Sequence, residues 1–252
     1  MTGDKKYMIP KIIHYCWFGG KPLPELTVKC IESWKKFCPD YEIMRWDETN
    51  FDFASCDYAR EAYGAKKWAF VSDYARLKVL VDYGGVYMDT DMELMKPIDD
   101  FLCDEAFAGF EDPKSISCGI MGCEKGYAPF ADIADNYCRR HFLKADGGYD
   151  ITTIVRTVTH YFSRYGFRPN GIKQTVRGYT IYPQDYFYPK NHDTLKMEMT
   201  ANTCAIHHFA ASWVGPWWKF KLGVKRLIGS GITEKIIAAK RFFRRITGRS
   251  EF

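Results

Sequence analysis

Ser72-Asp73-Tyr74-Ala75-Arg76, continued by Tyr83-Gly84-Gly85-Val86-Tyr87-Met88-Asp89-Thr90-Asp91, reads as a helix, a glycine break, a short buried strand and two aspartates at its end. Side chains at i and i+2 of a strand share one side. The spacing therefore predicts that Asp89 and Asp91 converge. Two carboxylates there make a hard, oxygen-rich site suited to Mn²⁺ or Mg²⁺, and such an ion would hold a diphosphate. Aspartates are also ordinary turn residues. The buried strand, the Gly-Gly and the charged helix upstream make this context stricter than a lone Asp-x-Asp. Asp73 and Arg76 lie i, i+3 on one face of an otherwise apolar helix. A local ion pair of that kind contributes about a few tenths of a kcal/mol. A charged pair on so apolar a helix points instead to a ribose, phosphate or sugar hydroxyl as partner.

The helix extends over Lys66 to Tyr83, with Ala69, Val71, Ala75, Leu77, Val79 and Leu80 buried, and Gly84-Gly85 ends it. Upstream, Ile9 to Phe18 reads as a first buried strand ending at Gly19-Gly20. Pro24 to Phe37 carries Leu26, Cys30, Ile31 and Trp34 at helical spacing. Tyr41 to Trp46 alternates as a second strand. Downstream, Ala106 to Phe110, Ile116 to Gly122, Tyr179 to Pro183 and Ala205 to Phe209 read as strands. Pro129 to Phe142 and Ile151 to Tyr165 read as helices. This alternation predicts an α/β sheet with helices on both faces, with ligands at the carboxyl ends of the strands. Gly19-Gly20 and Asp89-Thr90-Asp91 both fall at such ends.

A chain of 252 residues, 46% of them hydrophobic, supports one full domain with a substantial core. It has no apolar run long enough to span a membrane. The polar stretch Met1 to Lys6 precedes no apolar h-region, which reads as no secretory signal. The nine scattered cysteines argue against a disulfide framework and for a reducing compartment, hence the cytoplasm. Cys118 and Cys123 have no second close pair to complete a zinc site. Charge divides unevenly. From Lys219 to Phe252 ten Lys/Arg face only Glu234 and Glu251, a net of +8, so residues 1–218 carry −3 of the chain's total of +5. A mildly acidic body lacks the positive surface a nucleic acid needs. The boundary near Lys219 separates a catalytic-type domain, 1–218, from a basic appendage, 219–252.

Two further constellations carry chemistry. Trp17 stands at a strand end before Gly19-Gly20, where an indole can stack on a planar base, although a core tryptophan fits the position equally. His207-His208-Phe209-Ala210-Ala211-Ser212-Trp213 comes late. Adjacent strand residues face opposite ways, so one of the two histidines reaches a given metal. An imidazole is a reasonable third ligand beside two aspartates. Ser212 and the Trp213 indole N–H can donate to a diphosphate.

Together, Ile9-Pro10-Lys11-Ile12-Ile13-His14 with Trp17, Ser72-Asp73 with Arg76, Tyr87 with Asp89 and Asp91, and His207 to Trp213 resemble glycosyltransferase family 32. That family groups bacterial capsule and lipopolysaccharide enzymes with yeast initiating mannosyltransferase-like proteins. The first three blocks also look like the glucosyltransferase domain of the large clostridial toxins, down to the sixteen residues from Asp73 to Asp89. The resemblance runs from about Ile9 to Trp213. It implies a GT-A-type, Rossmann-like mixed sheet flanked by helices, and a nucleotide-diphosphate sugar donor, usually UDP-linked. It also implies Mn²⁺ or Mg²⁺ and retention of anomeric configuration. Carried over by position, Trp17 looks like the base-stacking residue. Asp73, Arg76 and Tyr87 look like donor-binding residues. Asp89 is similar to the aspartate touching ribose, sugar and, through water, metal. Asp91 looks like the direct metal ligand, and His207 matches the late position that completes the site. Trp213, with Ser212, resembles the residues bonding the diphosphate. Asp89, Asp91 and Arg76 are then the catalytic set.

A retaining double displacement needs a carboxylate nucleophile. Asp112, Glu111 and Asp150 qualify by location alone, so front-face internal return is the expected route. The acceptor is expected to be a saccharide of capsule, lipopolysaccharide or another surface polysaccharide. From Thr233 to Arg249, Ile236, Ala239, Phe243 and Ile246 recur at helical spacing with Lys240, Arg241, Arg244 and Arg245 largely opposite. This reads as a basic amphipathic helix on the anionic inner-leaflet surface, where a lipid-linked acceptor would lie. Alternatives are an effector glycosyltransferase acting on a host protein and a non-catalytic nucleotide-sugar-binding module.

Overall fold

The computed structural model describes residues 8–190 and 196–210. Nine strands and five α-helices are assigned among them. In chain order they are β1 (Ile12–Cys16), α1 (Glu25–Phe37), β2 (Glu42–Trp46), α2 (Asp57–Gly64), α3 (Trp68–Tyr83), β3 (Gly85–Met88) and β4 (Met92–Leu94). There follow β5 (Ala106–Asp112), β6 (Ser115–Cys123), α4 (Ala128–Cys138), α5 (Ile154–Ser163), β7 (Gln174–Val176), β8 (Tyr179–Tyr182) and β9 (Ala205–His207). Seven strands form one mixed sheet in the order β2-β1-β3-β6-β5-β8-β7, and β4 pairs with β9 in a separate antiparallel ribbon.

The α/β mixed sheet flanked by helices is the fold class expected from the sequence. Strand residues alternate between two cores. Val86 and Met88 of β3 pack on one face with Cys30, Ile31 and Trp34 of α1. Tyr87 packs on the other, with the buried faces of α2, α3, α4 and α5. Every residue of β3 is buried, as a strand covered on both faces requires.

Three features position the strand ends. First, α3 stops at Gly84, which adopts φ 70° while its N–H still bonds the Leu80 carbonyl at 2.8 Å. Gly85 follows at φ 100°, so the chain turns from helix into β3 within two residues that an L side chain would strain. Second, β1 and β3 are parallel neighbours, so Trp17 and Asp89 leave the sheet at the same edge. Third, β4 and β9 bring Met92 opposite His207. The three-residue β4 and the helix α2 were not among the expected elements. β4 is too short for a periodicity to register. The basic appendage 219–252 lies outside the described residues.

His14 ties this scaffold together from inside. It is fully buried, its Nε2 lies 2.8 Å from the Gly84 carbonyl, and the Trp46 indole N–H donates to its Nδ1 at 3.1 Å. Both bonds are satisfied by a neutral ring protonated on Nε2. Burial pushes the His14 pKa down to about 4, against the opposing pull of the Gly84 carbonyl. The unfolded chain therefore binds more protons than the folded one between about pH 6.5 and 4. The stability of the neutral ring is fully present above that window and is lost as pH falls through it. The gap corresponds to roughly 3 kcal/mol. Urea unfolding of the wild type should lose about that much between pH 7 and 4, and His14→Gln should flatten the profile. A wild-type profile already flat across the window would show that His14 is not buried neutral.

Candidate functional site

The glycine turn after α3 and the short strand β3 deliver Asp89 to the sheet edge, where its N–H bonds the Gly119 carbonyl of β6 at 2.7 Å. The chain then turns, with the Met92 N–H bonding the Asp89 carbonyl at 2.9 Å. Asp89 and Asp91 thus stand in a turn between β3 and β4, and not on one side of a strand as the i, i+2 argument supposed. A turn folds the two carboxylates toward each other, which strand alternation alone would not do. Gly119 has no side chain for a reason: a Cβ there would sit 3.1 Å from Asp89 Oδ2 and 3.1 Å from the Tyr188 hydroxyl.

His207 arrives from β9. Its Nε2 is 3.1 Å from Asp91 Oδ1, while the Ala210 N–H donates to Asp91 Oδ2 at 2.7 Å. His208 faces away, with its Nε2 2.7 Å from Glu93 Oε2. The two histidines divide as strand alternation predicts, and His207 is the one beside the aspartates. One ligand atom each from Asp89, Asp91 and His207 lie within 4.8 Å of one another. Nδ1 of His207 is buried and has no hydrogen-bond partner in the described structure. Two carboxylate oxygens and one imidazole, whose Nδ1 is left without a partner, are a donor set that fits Mn²⁺ or Mg²⁺.

The electrostatics separate the two carboxylates. Burial pushes Asp91 up, but His207, through charge and a hydrogen bond, and the Ala210 N–H outweigh it and hold Asp91 down near 2. Asp89 is raised by burial, with Arg76 opposing and Asp91 adding to the rise. His207 is raised, because Asp91 and Asp89 outweigh the burial that would lower it. Asp91 is therefore the carboxylate held most firmly in its ionised form, the form metal ligation requires.

Behind Asp89 lies a buried polar network. Arg76 Nη1 donates to the Cys118 carbonyl at 2.7 Å and sits 3.2 Å from Asp89 Oδ1. Its Nη2 donates to Asp73 Oδ1 at 3.2 Å and its Nε to the Ser72 carbonyl at 3.2 Å. The guanidinium lies 4.5 Å from the Tyr87 ring centroid, and the Tyr87 hydroxyl donates to Asp89 Oδ1 at 3.0 Å. The other oxygen of Asp73 accepts the Ile154 N–H at 3.1 Å, at the first turn of α5. Burial raises Asp73 to about 6 despite Arg76 and this N–H. Asp73, Arg76 and Tyr87 are each at most 6% exposed. Their described partners are protein groups: Arg76 and Tyr87 hold Asp89, and Asp73 braces Arg76.

Trp17 is half-buried just past β1, and its indole N–H donates to the Lys21 carbonyl at 2.6 Å, which fixes the ring plane. Ser212 and Trp213 lie outside the described residues. Sequence reasoning missed Tyr188, whose hydroxyl accepts the Ile120 N–H at 2.9 Å beneath Gly119. No motif marks it. It also missed the supporting ion pair of Glu93 with Lys29, 2.9 Å apart.

Comparison with known proteins bears on this geometry. The family described as "glycosyltransferase sugar-binding region containing DXD motif" matches residues 24–108, which include Asp73, Arg76, Asp89 and Asp91. The match is to this region of the chain, about a third of its length. Inositol phosphoceramide mannosyltransferase 3 of Schizosaccharomyces pombe is 32% identical over 138 residues, 53% of this chain and 38% of that protein. An uncharacterized glycosyltransferase of Acanthamoeba polyphaga mimivirus is 24% identical over 208 residues, 80% of this chain and 82% of its own length. The chain thus spans well under half of the yeast mannosyltransferase it matches. Among solved structures, the PaToxG glycosyltransferase aligns with a TM-score of 0.47 at 20% identity, covering 62% of this chain and 69% of that one.

Proposed function

We propose that the chain is a metal-dependent retaining glycosyltransferase that moves a hexose from a nucleotide-diphosphate donor to a saccharide acceptor. The observation that carries this is the convergence of Asp89, Asp91 and His207 within 4.8 Å, at the sheet edge where Trp17 also emerges. The mannosyltransferases among the relatives make a mannosyl donor the first to test beside UDP-hexoses.

A divalent ion held by Asp91, Asp89 and His207 supplies Lewis-acid neutralisation of the leaving diphosphate. The chain's own residues do the rest. Trp17 offers a ring for the base. Asp89, held by Arg76 and Tyr87, presents its free oxygen toward ribose and sugar. Ser212 and Trp213 donate to the diphosphate. The glycosidic bond to the phosphate oxygen breaks through an oxocarbenium-like state. The acceptor oxygen bonds the anomeric carbon on the same face, and its proton passes to the departing phosphate oxygen. A trapped glycosyl-enzyme adduct would falsify front-face return.

The testing experiment is hydrolysis of a panel of UDP- and GDP-sugars with Mn²⁺, Mg²⁺ or EDTA. Turnover of one donor, abolished by EDTA, is expected. Metal-independent turnover would sink the metal-dependent reading. Metal-dependent nucleotide binding without turnover would favour a binding module.

No helix among the described residues is long and apolar enough to cross a membrane. The basic, amphipathic sequence of Thr233 to Arg249 supports peripheral attachment to the cytoplasmic face of an anionic membrane, and with it a lipid-linked acceptor for capsule, lipopolysaccharide or related polymers. Each basic residue at such a surface contributes about 1 kcal/mol. Truncation after Lys219 should lower binding to anionic liposomes by at least about tenfold and spare donor hydrolysis. Unchanged liposome binding would rule this role out.

A further inference from the structure

A third carboxylate stands at the edge that carries Asp89. Because β6 is antiparallel to both β3 and β5, β1, β3 and β5 run in one direction. Trp17, Asp89 and Glu111 therefore sit at the same end of the sheet. The start of β6 bridges them. Gly119 accepts the Asp89 N–H, and Ile116 and Ser115 pair with Phe110 and Asp112 on either side of Glu111. The β5–β6 ladder shifts register twice here, between Ala108 and Phe110 and again between Phe110 and Asp112. Irregularities of this kind re-aim a side chain beside a site.

The residue between the shifts is Glu111. It is half-buried, and its carboxylate lies within electrostatic reach of His207, Asp112 and Asp89. Among the described residues no hydrogen bond or ion pair to its carboxylate is found. The other two carboxylates at comparable sequence positions are occupied. Asp112 is exposed and accepts the Lys114 N–H at 2.7 Å. Asp150 accepts the Thr152 N–H at 3.1 Å and lies 3.8 Å from Arg140.

Holding a carboxylate partly out of water without a protein partner costs some stability. Burial raises the Glu111 pKa accordingly. Nothing in the described packing gains from that cost, and such groups persist where function needs them. The geometry points to Glu111 as a catalytic carboxylate that accepts hydroxyls of the transferred sugar and opposes the positive charge growing at its anomeric carbon. No bond to Glu111 forms. The inference rests on the glycosyl-transfer reading above and adds a residue to it.

The test compares the full chain with Glu111→Gln and Glu111→Asp, using the donor that wild type turns over. For Glu111→Gln, kcat of donor hydrolysis should fall about 100-fold. Affinity for the Mn²⁺–nucleoside diphosphate should stay within about twofold, because the missing contact is to the sugar. The melting temperature should hold, since the carboxylate has no protein partner to lose. Glu111→Asp, which keeps the charge, should recover part of kcat. A purely structural Glu111 would give the opposite pattern, with a lower melting temperature and nucleotide affinity falling together with rate. That pattern, or a Glu111→Gln kcat within about threefold of wild type, overturns the inference and leaves the glycosyl-transfer reading standing. Absence of turnover by wild type on every donor, with or without acceptor saccharides, overturns both.

Discussion

Asp91→Asn should abolish metal-dependent nucleotide binding and lower donor turnover by about 1,000-fold. The residue is near-isosteric, so the amide oxygen can still accept the Ala210 N–H that Asp91 Oδ2 now takes at 2.7 Å. What disappears is the charge. Asp91 is the carboxylate whose pKa the site holds down to about 2, through His207 and the Ala210 N–H, so it meets a cation ionised at any working pH. An amide oxygen is a poorer ligand for Mn²⁺ or Mg²⁺ than a carboxylate. His207, now held up chiefly by Asp91, would also fall back toward an ordinary imidazole. Calorimetry of Mn²⁺–UDP and Mn²⁺–GDP binding measures the first effect directly, and circular dichroism checks that the fold survives. Retained nucleotide binding that still depends on Mn²⁺ would place the ion elsewhere.

The sequence made the architecture legible wherever an element was long or buried on both faces. α3 showed its apolar positions and its glycine stop. β3 showed a continuous buried run bounded by Gly-Gly and Asp. The convergence of Asp89 and Asp91 was legible, but for a geometric reason that did not hold, since the two meet through a turn. Alternation at His207 and His208 predicted that the two would separate. Which of them reaches the aspartates depended on β4, a three-residue strand with no readable period. Asp73 and Arg76 were legible as unusual because charges interrupt an apolar helix. Their partners, Cys118 and Ile154, lie 42 and 81 residues away along the chain, and no local pattern encodes such contacts. Glu111 shows the same limit. The sequence named it only by location, together with Asp112 and Asp150, and it is separated from them only once the register shifts of β5 and the direction of three strands are known.

Arg76→Met should destabilise the fold by about 3–5 kcal/mol and, independently, depress turnover of whatever enzyme remains folded. Arg76 is 6% exposed and bonds four separate groups: the Ser72 and Cys118 carbonyls, Asp73 and Asp89. Methionine fills similar volume without the charge. The buried carboxylate of Asp73 and the half-buried one of Asp89 would then lose their shared cation. Asp73, already raised to about 6 by burial, would rise further and carry a proton at neutral pH. For a chain of this size the loss corresponds to a melting-temperature drop of roughly 10 °C. Asp73→Asn combined with Arg76→Met should recover part of it, because Asp73→Asn removes the free-energy cost of protonating a carboxyl that has lost its cation, while the amide oxygen can still accept the Ile154 N–H. The rate effect should not be recovered by the double variant. Asp89 would retain only the Tyr87 hydroxyl to orient it, and a carboxylate free to swing loses the positioning on which transition-state stabilisation depends. Arg76→Lys should sit between these limits, since one ammonium keeps the charge but cannot bridge Asp73, Asp89 and two carbonyls at once. A melting temperature within about 2 °C of wild type for Arg76→Met would mean that the buried network contributes no net stability, the balance that burial of ion pairs can reach. Recovery of both stability and rate in the double variant would mean that Arg76 serves Asp73 alone and that Asp89 is oriented by its own turn.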